Sequence, residues 1–446
     1  MDRPLEGYRI IDLGQIYNGP YCSLLLALLG AEVIKVEPLE GDATRHSLGD
    51  VQPWGESAAF LAVNRNKRSI ALDLKAPRGL EAFRRLAATV DVLVESYRPG
   101  TAARLGIDYE SLRAVNPRLV HASISGFGAT GPYADRGGYD IITQGMSGIM
   151  SVTGDPDGPP LKAGVPVTDI GAGMLCAFGI LAALLARQRT GEGQHVDTSL
   201  FEAGLVFGAW EATELWSTGR LPGRLGSAHR LSAPYQAVRA SDGYFTIGAF
   251  TDKLWRAGAG AFGHPEWASD GRFASGPDRL ANRVELLELI EGVTIEAPVS
   301  VWLERLLAAG VPAGPVSDYA SALEDRRPPR ARWSSRPITP RRDERRCLAS
   351  RSSSRARRER CDVRRRRWGS TRARCSRSSV IRTVRSRSSA GRASYGRNRY
   401  RTGNSSAGGR PTARPTARRS RAFCGVRNPA GSAPRRMRSL SPPGMP

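Results

Sequence analysis

The feature that most constrains this chain is a break in composition at residue 325. Of 446 residues, those from 326 onward hold 37 Arg, no Lys and four acidic side chains, whereas the first 325 hold 29 Lys and Arg against 38 Asp and Glu. The formal net charge of +24 suggests a nucleic-acid binder, yet it describes neither part. A stretch so rich in Arg and Ser, with almost no aliphatic runs, cannot bury enough apolar surface to offset its ordering entropy. Residues 326–446 are therefore predicted to be a disordered tail, and any core must come from residues 1–325, which suffice for two domains. The tail's charge would attract polyanions non-specifically. It has neither aromatic interleaving nor a nucleic-acid-binding module. An Arg-rich nucleic-acid-binding protein is thus the remote alternative, and no specific nucleic acid is expected.

Within the body, apolar patterns alternate between the two secondary-structure periods. Residues 8–13, 32–37, 68–74, 90–95, 119–125 and 194–199 read as strands. Residues 21–29, 78–88, 109–115 and 169–189 read as helices, with Asn18 as a cap and Gly30 as a stop for the first. This order predicts an α/β fold: a Rossmann-like parallel sheet in a large domain over 1–200. Residues 201–325 read as a linker and a smaller α+β domain, with a hairpin around Ser241-Asp242-Gly243 and helices at 279–289 and 299–309. No GxGxxG follows the first strand, so the dinucleotide fingerprint is missing.

The longest apolar run covers residues 170–186, 17 residues against the roughly 20 that span a membrane. It is read as a core helix, and no membrane is expected. The first ten residues hold no apolar signal core, which with buried free thiols at Cys22 and Cys176 points to the cytoplasm. No His- or Cys-rich spacing suggests a metal.

Asp169, in PVTDIGAG, reads either as an N-cap for the apolar helix or as a nucleophilic carboxylate at its start, where Gly171, Ala172 and Gly173 would leave room for a substrate. Arg98 and Arg104 flank Pro99-Gly100 after a strand, where α/β sheets bind ligands; they suit an anion or equally a solvated turn. Asn66, Lys67, Arg68 and Lys75 bracket another strand and suit phosphate or a plain strand end. Gly137 and Gly138, before Tyr139 and Asp140, permit close backbone approach or form a simple turn.

Taken in order, LGQIYNGPYCSLLLALLGAEVIKVEP, GDATR, NRNKRSIALDLK, VLVESYRPGTAARLGI, SISGFGATGPYADRGGYD, PVTDIGAG, RTGEGQHVDTSL, APYQAVRASDGYF and GVPAGPV resemble the family III CoA-transferases (the CaiB/BaiF family) over residues 5–325. The resemblance implies that Asp169 is the nucleophile. It also implies that CoA is contacted by Gln15, Tyr17, Asn18, Leu72, Lys75, Ser96, Tyr97, Arg98, Arg104, Gly137, Gly138, Tyr139 and Asp140. The family's Glu-Asn-Phe is Glu95-Ser96-Tyr97 in this sequence. The implied activity moves CoA from an acyl-CoA to a carboxylic acid through an aspartyl intermediate, with acyl-CoA as substrate and no tightly bound cofactor. Family members are interlocked homodimers. The family's 2-methylacyl-CoA racemases, the alternative, carry a His where this chain has Tyr139, and a phenol does not titrate near neutrality.

The tail reads as a frame error. Suitable codons for residues 333–340 and 368–381 read, in one shifted frame, as Met-Val-Val-Glu-Ala-Asp-His-Pro and Leu-Gly-Glu-His-Thr-Arg-Glu-Val-Leu-Ala-Glu-Leu-Gly-Tyr, which resemble the family's C-terminal segments. The frame would change near residues 325–332. The segment that returns to the large domain would then be lost, and an apolar face should stand uncovered.

Overall fold

Short strands rich in Val, Ile and Leu, apolar on both faces, form a central parallel sheet because helices must cover both sides. The computed structural model describes residues 3–325 except 48, 50 and 52–54, together with the backbone of 338–339 and 344–345. The described residues of the body fall in one compact unit. The disorder expected of the tail otherwise lies outside the described residues. Its described part is one antiparallel pair, β10 (Ile338–Thr339) with β11 (Glu344–Arg345).

Six strands, β1 (Arg9–Asp12), β2 (Glu32–Glu37), β3 (Lys67–Ala71), β4 (Val92–Glu95), β5 (Val120–Ser125) and β6 (His195–Ser199), form one sheet in the order β3-β2-β1-β4-β5-β6. Every pairing is parallel. Alternate residues take opposite faces. Ile10, Val92, Val94, Val120 and Ala122 pack with Cys22, Leu26, Cys176 and Ile180 from the helices Asn18–Leu28 and Val167–Thr190. Ile11, Leu93 and Leu119 pack with Phe83, Ala87 and Leu112 on the other side. This is the Rossmann-like parallel sheet predicted from the alternation. The order of the strands reverses between β1 and β4, the point at which such sheets have a crevice at their C-terminal ends.

The helix Val167–Thr190 is longer than the apolar run that announces it, because polar residues extend it at both ends. Among the described helices it is the one long and apolar enough to cross a membrane. One of its faces is buried on the sheet and on the helix Asn18–Leu28. On the other, Met174, Phe178 and Leu185 are exposed, Phe178 by 72%. Trp216 and Leu221 further on are 81% and 84% exposed. Exposed apolar stripes of this kind mark surfaces that a partner or a further segment covers.

The smaller antiparallel sheet orders β7 (Tyr235–Ala240), β8 (Gly243–Gly248) and β9 (Ala313–Pro315). Its hairpin turns at Ser241 and Asp242, and Asp242 Oδ1 accepts the Val299 N–H at 2.8 Å, fixing the start of the helix Val299–Ala308. Phe245, Trp255, Phe273, Trp302 and Leu306 form a separate core. The single helix predicted over 279–289 is two, Gly276–Ala281 and Arg283–Thr294, broken at Asn282. Arg279, fully buried, donates to four carbonyls and to Asp252 Oδ1, which holds it in the core rather than in a surface helix.

Candidate functional site

The crevice is bounded by the turns after β1 and β4. After β1, Asp12 Oδ1 accepts the Gly14 N–H at 2.8 Å, and the Gly14 carbonyl accepts Lys35 Nζ at 2.7 Å. The Gln15 N–H donates to Ser96 Oγ at 2.9 Å, joining the two turns. Ile16 between them has φ 64°. A β-branched residue there carries strain of order 1–3 kcal/mol, which persists only where the surroundings impose it.

Beneath this turn lies a buried ion network. Lys67 Nζ donates to Asp12 Oδ2 at 2.8 Å, to the Pro20 carbonyl at 2.8 Å and to Asn64 Oδ1 at 2.9 Å, while Lys35 pairs with Asp42 at 2.9 Å. Burial pushes the Lys67 ammonium down to about 8, against the opposing pull of Asp12. Lys67 is thus committed to holding the fold, not free for a phosphate, and Arg68 turns away to pair with Glu32. Lys35, at an inward position of EVIKVE, was the signal in the sequence for this network.

Asp169 does not cap its helix. The helix starts at Val167, with Pro166 in the capping position and no side-chain cap, so Asp169 lies within the first turn. Asp140 supplies the missing acceptor: its Oδ1 takes the Thr168 N–H at 3.0 Å and the Thr168 hydroxyl at 2.8 Å, and its Oδ2 takes Gln144 Nε2 at 2.6 Å. The Asp169 carboxylate is left facing Asn18, whose Nδ2 donates to Oδ1 at 2.9 Å. Asn18 therefore does not cap its own helix either; Tyr17 precedes that helix and Asn18 is its first residue. Burial pushes the Asp169 carboxyl up to about 6; Asn18 opposes the shift and the Asp140 charge adds to it. Nor do Gly171 and Gly173 leave room for a substrate. A Cβ on Gly171 would lie 2.6 Å from the Phe207 ring, and one on Gly173 would lie 2.9 Å from the Asn18 carbonyl oxygen. Both glycines let helices pack together.

After β4, Tyr97 packs into the core, and burial, with the Glu95 charge beside it, pushes its phenol up to about 12. Arg98 lies over Gly137, where a Cβ would sit 2.9 Å from its Nη2. Gly138 crosses Gly126 in backbone contact: a Cβ on Gly138 would come within 2.5 Å of Gly126 Cα. Tyr139 is 63% exposed. Leu72 is buried in the core beside β3, and its N–H donates to the Glu37 carbonyl. Lys75 and Arg104 are exposed and make local contacts, with Asp73 and Thr101 respectively. The fold thus joins Gln15 to Ser96, Asn18 to Asp169, and Arg98 to Gly137, with Asp140 bracing Asp169's helix. Sequence reasoning passed over Glu95, Ser123 and Asp197, which lie in a row across β4, β5 and β6. Among the described residues no cluster of three or more His, Cys, Asp or Glu could hold a metal.

The model of CoA-transferase family III matches residues 5–364. A succinate–glutarate CoA-transferase of Agrobacterium fabrum is 41% identical over 339 residues, covering 72% of this chain and 82% of that protein. An acetyl-CoA:oxalate CoA-transferase of Acetobacter aceti is 43% identical over 325 residues, with the same coverage. A crystal structure of a CaiB/BaiF family protein from Brucella suis aligns with a TM-score of 0.69 and 42% identity, covering 79% of this chain and 97% of that one.

Proposed function

The chain belongs to CoA-transferase family III, and we propose that it moves CoA from an acyl-CoA to a short dicarboxylic acid through a covalent intermediate on Asp169. The observation that carries this reading is the Asp169 carboxylate itself, half-buried in the first turn of its helix and held by Asn18. Near neutral pH it is ionised but poorly solvated, the condition of an activated carboxylate nucleophile. The relatives' names, succinate–glutarate and acetyl-CoA:oxalate CoA-transferase, support dicarboxylates as the acids.

The exchange needs four displacements. Asp169 attacks the thioester carbonyl, forming a mixed anhydride and expelling CoA thiolate. The thiolate attacks the aspartyl carbonyl of the anhydride, giving aspartyl-CoA thioester and releasing the donor acid. The acceptor carboxylate attacks that thioester, again forming an anhydride and thiolate. The thiolate then attacks the acceptor's acyl carbon, giving the new acyl-CoA and restoring the Asp169 carboxylate. Amides at Gly137 and Gly138 serve the oxyanions in this reading. Arg98, beside Gly137, suits a CoA phosphate. Gln15, Tyr17, Asn18, Leu72, Lys75, Ser96, Tyr97, Arg104, Tyr139 and Asp140 complete the proposed CoA set.

The reading extends to the rest of the molecule. Residues 1–200 and 201–325 serve as separate domains, supported by the separate core of residues 238–311, although Ala203 packs with the parallel sheet. The exposed Met174, Phe178 and Leu185 support an interlocked homodimer. The protein is cytoplasmic, and residues 326–446 are out-of-frame translation. Asp169→Ala, made in this chain and in a frame-repaired one, should abolish exchange between succinyl-CoA and a panel of dicarboxylates while leaving CoA binding within a few-fold. Asp169→Glu should be severely impaired too, because the carboxylate moves by about one methylene. An active alanine variant sinks the assignment.

A further inference from the structure

The polar row across β4, β5 and β6 lies directly beneath the two turns that meet at Arg98 and Gly137. Register places Glu95 beside Ser123 and Ser123 beside Asp197. Glu95, 5% exposed, accepts the Tyr97 N–H on Oε2 at 2.6 Å. Asp197 Oδ2 accepts the Ala129 N–H at 3.0 Å. Each carboxylate therefore holds an amide of one turn. The Glu95 turn carries Arg98. The Asp197 turn contains Gly126, which touches Gly138, the neighbour of Gly137. Ser123 is the register neighbour of Glu95, and its hydroxyl lies 3.0 Å from His195 Nε2.

We propose that Glu95 is a positioning residue: through its hydrogen bond with the Tyr97 N–H, its charge state sets how firmly the 96–98 turn is held for a phosphate-bearing ligand. The identity of that ligand as CoA rests on the transferase reading; the behaviour of the turn does not.

Glu95 has two states toward its own turn. Ionised, it offers the Tyr97 N–H a charged acceptor. Protonated, it does not. The Tyr97 N–H then bonds a neutral acceptor, and that bond loses its charge assistance. The groups facing Glu95 favour switching in an accessible range. The charge reaching it from β6 is another carboxylate, Asp197; from β5 comes the Ser123 hydroxyl, with His121 one step back toward His195; from its own turn comes the Tyr97 phenol, which also faces Asp12 of β1. Burial first, then Asp197, raises the Glu95 carboxyl to about 6, against Ser123 and the Tyr97 amide.

The test compares the full chain with Glu95→Gln, isosteric with the protonated form, and with Glu95→Ala, which removes the acceptor. Thermal melts check that the variants fold. Deuterium exchange of a peptide covering 92–100 is followed without ligand at about pH 7.5 and about pH 5.5, either side of the switch and corrected for intrinsic exchange. Calorimetry with CoA is run at the same two values. In the unaltered chain the peptide should be protected at the higher pH and exchange faster at the lower. Glu95→Gln should exchange fast at both, and Glu95→Ala faster still. CoA should bind about tenfold more weakly at the lower pH in the unaltered chain, the difference between a charged and a neutral acceptor. That ratio should shrink in Glu95→Gln, a comparison in which titration of the ligand's own phosphates cancels. Unchanged protection of 92–100 in both variants overturns the proposal. So does tighter binding at low pH that Glu95→Gln abolishes, since Glu95 would then be repelling phosphates. A chain showing the exchange pattern but binding no CoA overturns the transferase reading, and the ligand half of the proposal with it.

Discussion

Asp169 shows how a buried carboxylate costs stability. Its folded-state carboxyl, at about 6, titrates above its ordinary 3.8, so the folded chain holds the proton more tightly than the unfolded one. Ionisation therefore destabilises the fold, fully above about pH 6 and not at all below the ordinary value. Asp169→Asn keeps an oxygen for Asn18 and removes the charge. It should stabilise the chain by about 1–2 kcal/mol in urea unfolding at neutral pH, with the gain disappearing toward pH 4, while eliminating exchange. An equal gain at both pH values would show that charge burial is not the cause. The neighbouring glycines should separate binding from folding. In Gly137→Ala the new methyl meets the mobile end of Arg98, so melting should hold and the KM for acyl-CoA should rise. In Gly138→Ala it meets the Gly126 backbone, which cannot step aside, and stability should fall by about 1–3 kcal/mol. Equal melting of the two variants would contradict this.

At the scale of elements, the buried Asp12–Lys67 pair ties β1 to β3 and to the helix Asn18–Leu28. Lys67→Met leaves Asp12 buried without its nearest cation, and the expected loss is about 3–5 kcal/mol by denaturant titration. Adding Asp12→Asn should recover part of it; additive losses would mean the two do not interact. Strands and core helices were legible in the sequence because their patterns are local: β2 was read to the residue, and most other ends fell within one or two positions. What escaped was non-local. The acceptor at the start of Val167–Thr190 comes from Asp140, 28 residues away, so no local motif announces that start and Asp169 took the capping role by default. Gly171 and Gly173 suggest open space until Phe207 and Asn18 arrive from other helices. Asp169, Asn18 and Arg98 were legible as candidate site residues from the motif series. Glu95 was not, since it comes beside Ser123, and Ser123 beside Asp197, only through strand register.

For the whole molecule, the composition break and the exposed apolar face argue together. Phe178 and Leu185 stand on a helix whose opposite face is built into the core. Soluble monomers seldom expose such a stripe. Sequencing the gene should reveal a shifted frame near residues 325–332. The repaired chain should elute as a monodisperse dimer in size-exclusion chromatography with light scattering. The chain as given should associate heterogeneously and bind polyanions in a strongly salt-dependent way. A confirmed frame through Pro446, with a soluble and active product, would refute this reading.

The crossing of Gly126 over Gly138 has a consequence for descent. Every amino acid one nucleotide away from glycine carries a Cβ, and at either position that atom would enter the other's backbone. Either change made first costs stability, and changing both at once makes the collision worse. A lineage of such chains has no free stepwise route through this point. New acids must be accommodated by mutations elsewhere, on a frame of two turns that heredity leaves fixed.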